Sequence, residues 1–121
     1  MRRAEACGDT RIMSFGGFRS MWIIVMFDLP TDTKKARRAY HDFREELLKD
    51  GFTMLQFSVY ARHTPSEENA VVHENRVKTF LPEDGEVRLL KITDKQFERM
   101  KVFNGKTRKA TEKAPKQLSF F

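Results

Sequence analysis

The sequence predicts an α+β protein with the ferredoxin-like order βαββαβ, followed by an extra short C-terminal strand. Residues 21–27 form a continuous apolar segment, which is typical of a central strand covered on both faces. Two later stretches carry apolar residues at helical spacing, and strand-like segments alternate with them. Two split βαβ units in this order place both helices on one face of an antiparallel sheet.

The first predicted strand leads into a helix. Pro30 blocks further strand pairing, and Thr31, Asp32 and Thr33 are candidate helix caps. Gly51 is the usual kind of residue at a helix end, so the helix is expected to stop just before it. Its predicted buried face carries Ala36, Tyr40, Phe43 and Leu47.

A strand pair and a second helix come next. Residues 52–62 are rich in aromatic and β-branched side chains, with a turn expected around residues 56–58. Thr64 is the predicted cap of the second helix, with Pro65 at its first position and Glu67 at its third. The predicted buried face of this helix carries Ala70, His73, Val77 and Leu81.

The remaining segments complete the predicted organisation. Residues 87–92 form a strand, Thr93 caps a single helical turn, and residues 100–103 form the extra strand. A turn at 104–105 then leads into a polar segment that reaches position 115 and is expected to be flexible. We therefore expect a partly disordered N-terminal extension at 1–20, a ferredoxin-like domain at 21–103, and a basic C-terminal tail at 104–121 that ends in a docking strand.

Composition and charge favour a cytoplasmic protein that binds a polyanion. The single cysteine, Cys7, excludes an internal disulfide and fits a reducing compartment. The longest apolar run is too short to cross a bilayer, and residues 1–20 lack the apolar stretch of a secretory signal. The formal net charge is +6, with the basic excess in the two ends of the chain. Basic ends on a neutral domain favour nucleic acid as a partner, and simple solubility is the alternative.

Four cations occupy the first turns of the predicted first helix, where the helix dipole is positive. Each costs on the order of 0.3–1 kcal/mol before screening, so the pattern favours a compensating phosphate ligand. The alternative is that Asp28, Asp32 and Asp42 offset these charges. The candidate nucleic-acid contacts are Lys34, Lys35, Arg37 and Arg38 in the helix, and Lys106, Arg108 and Lys109 in the tail.

The last residues of the chain are apolar again after the polar segment. Two phenylalanines at the end of such a tail are unusual for a monomer. We expect them to dock on the sheet edge of a twin subunit or on another protein, with a disordered apolar end as the alternative. The candidate docking residues are Leu118, Phe120 and Phe121.

Four motifs carry a resemblance to a known family: residues 21–30 (MWIIVMFDLP), 51–60 (GFTMLQFSVY), 92–97 (ITDKQF) and 117–121 (QLSFF). In this order they resemble the CRISPR-associated protein 2 family, most closely the members found beside the single large RNA-guided effector nuclease. The likeness covers most of the chain. Residues 1–12 have no counterpart in it, so Met13 and Met21 are alternative starts to Met1.

The resemblance implies a prokaryotic homodimer in which Asp28 meets its symmetry mate and holds a divalent metal such as Mg²⁺. It implies a metal-dependent endonuclease acting on RNA or duplex DNA, with Asp28 as the catalytic and metal-binding residue. It also implies a bridge between two dimers of the CRISPR-associated integrase (protein 1), which binds duplex prespacer DNA and does not need cleavage. The family's basic residues at the start of the first helix map onto Lys35 and Arg37. The second-strand arginine of some members is Met54 here, which weakens the case for catalysis more than the case for bridging.

Three functions stay open on the sequence. The first is a subunit of CRISPR adaptation that binds the DNA backbone without reading its sequence. The second is a toxin-like metal-dependent endoribonuclease that depends on Asp28, although the residues alone also fit a plain turn residue before Pro30. The third is a non-catalytic RNA-binding module, which exposure of Phe57 and Tyr60 on an open sheet face would favour.

Overall fold

A computed structural model describes residues 19–105 and 107–115 of the chain. The elements follow the predicted βαββαβ order and continue with a short helix and two short strands. They are β1 (Met21–Asp28), α1 (Lys34–Lys49), β2 (Thr53–Gln56), β3 (Val59–Thr64), α2 (Glu67–Thr79), β4 (Glu86–Thr93), α3 (Asp94–Glu98), β5 (Val102–Asn104) and β6 (Thr107–Lys109). The predicted fold class is therefore confirmed.

The main sheet has four strands in the order β2-β3-β1-β4, and every neighbouring pair is antiparallel. β1 lies inside the sheet, and it pairs with β4 along its whole length, from Met21 opposite Thr93 to Asp28 opposite Glu86. β3 pairs with the other edge of β1 from Met21 to Met26. β3 also has two neighbours, but its pairing with β2 is short and shifts register between Met54 and Gln56, so β1 is the most continuously paired strand of the sheet.

Both faces of β1 are buried, as its continuous apolar sequence predicts. On one face Ile23, Val25 and Phe27 pack in a single core with residues of α1 and α2. On the opposite face the Trp22 ring stacks on Phe97 of α3, with centroids 3.9 Å apart and planes 7° from parallel. The two long helices therefore share one side of the sheet, and the short α3 covers part of the other.

The first helix matches its prediction closely. The Thr33 hydroxyl accepts a hydrogen bond from the Ala36 amide at 3.0 Å and so caps α1. Phe43 and Leu47 are buried on the predicted face, and Tyr40 packs partly against the same core.

The second helix begins two residues later than its prediction. Ser66 is the cap, and its side chain accepts from the Asn69 amide at 3.0 Å. Thr64 is instead the last residue of β3, where its buried hydroxyl donates to the Met21 carbonyl at 3.0 Å. The helix ends at Thr79, so Leu81 lies beyond it and is exposed rather than buried.

His73 ties the second helix to two neighbouring elements. Its Nδ1 lies 2.8 Å from the Asp50 carboxylate at the end of α1, and its Nε2 accepts from Arg62 of β3 at 3.1 Å. Arg76 donates to the other Asp50 oxygen at 2.9 Å. These contacts satisfy the buried ring, which is the structural role that its place on the apolar face predicts.

A second polar contact joins α2 to β4. Lys91 donates to Glu74 at 2.8 Å, and both side chains are partly buried. This hydrogen bond, together with the charge of Lys91, holds the pKa of the Glu74 carboxyl below its usual range, against the opposing effect of burial.

The C-terminal region contains a strand that the sequence analysis did not predict. β6 pairs with β5 as a separate two-stranded hairpin, whereas the polar sequence of this segment predicts a flexible region. Gly105 has a φ of +69°, which fits the predicted turn. Lys106, Leu118, Phe120 and Phe121 lie outside the described residues, as do residues 1–18. In the part that is described, no helix is long and apolar enough to span a membrane.

Candidate nucleic-acid interface and metal site

Asp28 is the last residue of β1, and its side chain is exposed while the preceding Phe27 is buried. Successive side chains of a strand point to opposite faces of the sheet. Phe27 therefore points to the side covered by the helices, and Asp28 points to the other side. Within residues 19–105 and 107–115, no side chain or amide donates a hydrogen bond to this carboxylate. The carboxylate is therefore free to take an external ligand.

Gly85 lets β4 begin directly against the end of β1. A Cβ at this position would lie 2.8 Å from the Asp28 carbonyl oxygen and 2.6 Å from a methyl carbon of Leu29. Its φ of +92° is also a conformation that favours glycine. This close approach brings Glu86, the next residue, opposite Asp28 in the β1–β4 register. Directly opposed side chains in antiparallel strands lie on the same face, with Cβ atoms about 4.5–5.5 Å apart.

The β2–β3 turn closes a second side of this region. Ser58 adopts a φ of +70°, unusual for a residue with a side chain. Its carbonyl accepts from the Phe27 amide at 3.0 Å, and its hydroxyl lies 2.9 Å from the Tyr40 hydroxyl. These two contacts fix the turn beside the end of β1. They leave the neighbouring Phe57 81% exposed, with its ring 5.9 Å from that of Tyr40.

Together these elements form an open depression of about 300 Å³ at the Asp28 end of the sheet. Glu86 and Arg88 also line it, and their side chains pair through two contacts of 3.3 and 3.4 Å. The sequence analysis missed both residues, since only the β1–β4 register brings them next to Asp28. The complete lining consists of Met26, Phe27, Asp28, Phe57, Ser58, Val59, Glu86 and Arg88.

The donor set suits a magnesium ion with few protein ligands. Among the described residues there is no group of three or more His, Cys, Asp and Glu side chains that would hold a metal by themselves. Asp28 and Glu86 supply two carboxylates on one face. Mg²⁺ typically takes one or two carboxylates and completes its shell with water and substrate phosphate. The residues present therefore fit a magnesium ion that shares its coordination with a nucleic-acid phosphate.

The predicted cation cluster lies at the start of α1. All four of its side chains are exposed, and the first turn of the helix holds no acidic residue. None of them pairs with a carboxylate in the described part of the chain, so the proposed offset by Asp28, Asp32 and Asp42 does not occur as ion pairs there. Arg37 donates to the Thr31 carbonyl at 3.1 Å. The members of the cluster are Lys34, Lys35, Arg37 and Arg38.

The remaining predicted nucleic-acid contacts that the structure describes do not form one surface with the depression. Arg108 and Lys109 are exposed on β6, in a hairpin separate from the main sheet. Tyr60 is 1% exposed beneath the helices, whereas Met54, its partner on β2, is 53% exposed. Of the two aromatics that would favour an RNA-binding sheet face, Phe57 alone is therefore accessible, and it projects from a turn.

The sheet order, with α1 and α2 on one face, defines the chain as a small ferredoxin-like α+β protein. A family model described as "CRISPR associated protein Cas2" matches residues 21–100. This stretch contains β1 through α3, including Asp28 and the cation cluster of α1. The chain belongs to the Cas2 family.

Curated relatives agree with this assignment. A "CRISPR-associated endoribonuclease Cas2" of Parvibaculum lavamentivorans is 59% identical over 101 residues, covering 84% of this chain and all of that protein. Proteins with the same name from Flavobacterium psychrophilum and Paracidovorax avenae are 50% and 45% identical, covering 93% and 87% of this chain and 98% and 97% of their own length. A solved structure described as "Crystal structure of cas2" aligns with a TM-score of 0.49 and 24% identity, covering 73% of this chain and 92% of that one.

The close approach of Gly85 to β1 gives a direct test of how the site is held. We expect Gly85→Ala to lower the free energy of unfolding by about 1–3 kcal/mol more than Gly105→Ala, because overpacking against backbone adds to the cost of the positive φ. Gly105 is the matched control, since it also has a positive φ and a Cβ there would meet nothing within 4 Å. Urea unfolding measures both variants, and equal losses would contradict the role given to Gly85.

Proposed function

We propose that this protein is a cytoplasmic subunit of CRISPR adaptation, which binds the backbone of duplex prespacer DNA and bridges dimers of the CRISPR-associated integrase. Membership of the family supports the link to CRISPR. The observation that carries the proposal is the set of four exposed cations at the start of α1, which have no carboxylate partners in the described part of the chain. Phosphate is the ligand that such a cluster suits best.

Backbone binding is what the geometry of the cluster favours. Each cation opposes the positive end of the helix dipole at a cost on the order of 0.3–1 kcal/mol, and a bound phosphate removes that penalty. Contacts to phosphate fix the position of a duplex but carry no sequence information. A subunit that must accept spacers of any sequence needs this kind of binding.

A bridge also requires symmetry, and we infer a homodimer. The face of the sheet opposite α1 and α2 is only partly covered by α3, and Leu90 on that face remains 48% exposed. A second copy packed near the end of β1 would cover apolar surface and bring the two Asp28 carboxylates close to the axis. Leu118, Phe120 and Phe121 are the proposed contacts of the tail with the integrase or the partner subunit.

Metal-dependent phosphodiester cleavage is the second candidate function. Asp28, which is exposed and has no hydrogen-bond donor among the described residues, favours it, and the relatives are named endoribonucleases. A bound Mg²⁺ would polarise the phosphodiester and make a water molecule more acidic. Asp28 and Glu86 would hold the ion, while Arg88 lies in position to meet the phosphate charge. Met54 in place of an arginine removes one cation from β2, so bridging takes priority over catalysis.

The salt dependence of duplex binding tests the cation cluster. Replacing Lys34, Lys35, Arg37 and Arg38 with glutamine should flatten the slope of log affinity against log salt by about 0.9 for each phosphate that the variant no longer neutralises. Fluorescence anisotropy with a labelled duplex measures this slope. A matched control replaces four other exposed cations, Lys78, Lys95, Arg99 and Lys101, and has the same net charge. If both variants flatten the slope equally, net charge rather than the cluster accounts for binding.

Variants that separate cleavage from bridging test which of the two functions is the main one. Asp28→Asn should abolish Mg²⁺-dependent cleavage of RNA and DNA, because it removes the metal-binding charge. It should leave spacer integration with the partner integrase within about twofold, since binding to phosphate needs only the cations.

Deleting residues 116–121 should have the opposite effect. This deletion removes the three apolar docking residues, each of which contributes roughly 1.5–3 kcal/mol when buried, so the integrase complex should fail to form while cleavage persists. Both variants belong in the same integration and nuclease assays. Loss of integration in Asp28→Asn, together with normal integration by the truncated protein, would reverse the proposal.

A further inference from the structure

The most exposed large apolar side chain described in the structure is an aromatic ring beside the Asp28 depression. Phe57 is 81% exposed, and one face of its ring is stacked on Tyr40 at 5.9 Å and 26°. Tyr40 in turn contacts Phe27, whose ring lies 5.6 Å away. Phe57 is thus the outer member of an aromatic stack that starts in the core, and its other face is open.

The turn that carries Phe57 is held in an unfavourable conformation. Ser58 has a φ of +70°, and conformations of this kind cost on the order of 1–3 kcal/mol for a residue with a side chain. Hydrogen bonds to the Phe27 amide and the Tyr40 hydroxyl hold it in place. The protein therefore keeps an apolar ring fixed in solvent at the expense of backbone strain. A ligand that covers the ring would offset the cost of this exposure and of the strained turn.

Arg88 lies in the same depression and is loosely held. Its side chain is 71% exposed, and its contacts to Glu86, at 3.3 and 3.4 Å, are longer than the usual distance of about 2.7–2.9 Å for charged hydrogen bonds. A surface pair of this kind contributes little to stability. A phosphate group can compete for this guanidinium at low cost, and Arg88 is the one cation that lines the depression within the described residues.

We propose that the depression is a subsite for one unpaired nucleotide, in which Phe57 stacks on the base and Arg88 contacts the phosphate. An aromatic ring stacks on every base, whereas a base inside an intact duplex presents no free face. The subsite thus selects single strands, overhangs or extruded bases. This inference rests on the proposed nucleic-acid function, and it adds a ligand contact that the cation cluster does not supply.

The two carboxylates of the depression require a cation when a phosphate binds there. Asp28 and Glu86 repel a phosphate held by Arg88 unless a divalent cation lies between them. Release of Glu86 from Arg88 would leave this carboxylate free to join Asp28 at the cation. Binding of the unpaired nucleotide should therefore strengthen when Ca²⁺ or Mg²⁺ is present, whereas duplex binding through α1 should not.

The experiment uses a single-stranded oligonucleotide that carries one 2-aminopurine, together with its duplex form, titrated onto the full-length protein in Ca²⁺. Phe57→Leu should weaken single-strand binding by about 5- to 150-fold, which corresponds to the usual stacking contribution. It should also reduce the fluorescence quenching of the probe and leave duplex affinity within about twofold. Phe57→Trp should keep wild-type affinity, and Arg88→Gln should weaken single-strand binding with and without Ca²⁺. Asp28→Asn, which removes a carboxylate of the cation site, should lose the enhancement by Ca²⁺.

Phe103→Leu is the matched control, because Phe103 is 60% exposed and lies on the separate hairpin. It should bind both probes like the wild type. Unchanged single-strand affinity in Phe57→Leu would overturn the proposal. A shift of that variant to a smaller species in light scattering would also overturn it, because Phe57 would then be a contact between subunits. Cleavage and integration by the wild type are measured separately, so the proposed function and this subsite can fail independently.

Discussion

The pairing of β1 with both of its neighbours is the constraint on which the rest of the structure depends. Hydrogen bonds to β3 and β4 fix the strand along both edges, and side chains bury it on both faces. A slip of this strand by one residue would shift its pairing along both edges and turn the exposed Asp28 toward the helical core. Asp28 is the first exposed side chain at its end, so the packing of the core determines where this carboxylate lies and which way it points.

Two neighbouring segments then complete the surface around that carboxylate. Gly85 allows β4 to begin in contact with the β1 backbone, which places Glu86 opposite Asp28. The strained turn at Ser58 attaches the β2–β3 hairpin to the same strand end through the Phe27 amide. Acidic, basic and aromatic groups thus meet at one end of the sheet, although they come from segments far apart in the sequence. The cations of α1 begin six residues after Asp28, so the proposed phosphate-binding and metal-binding groups lie at the same end of the fold.

The sequence predicted elements whose own residues determine them. The apolar run of β1 and the spacing of Phe43 and Leu47 were sufficient for the first strand and helix. Prediction failed where a distant contact decides the outcome. Thr64 resembles a helix cap, but its hydroxyl bonds to Met21 across the sheet and Ser66 caps the helix instead. Asp28 was predicted through resemblance to a family, whereas Glu86 and Arg88 required the register between β1 and β4, which local sequence patterns do not encode.

The central claim is that the end of β1 is a divalent-cation site set by this register. Paramagnetic broadening of amide NMR signals by substoichiometric Mn²⁺ tests it most directly, because the effect reports distance from the ion and does not depend on cleavage. We expect the signals of Phe27, Asp28 and Glu86 to broaden first in the wild-type protein and to remain sharp in Asp28→Asn. Broadening centred on another carboxylate, such as Asp50, or an unchanged pattern in Asp28→Asn would contradict this claim.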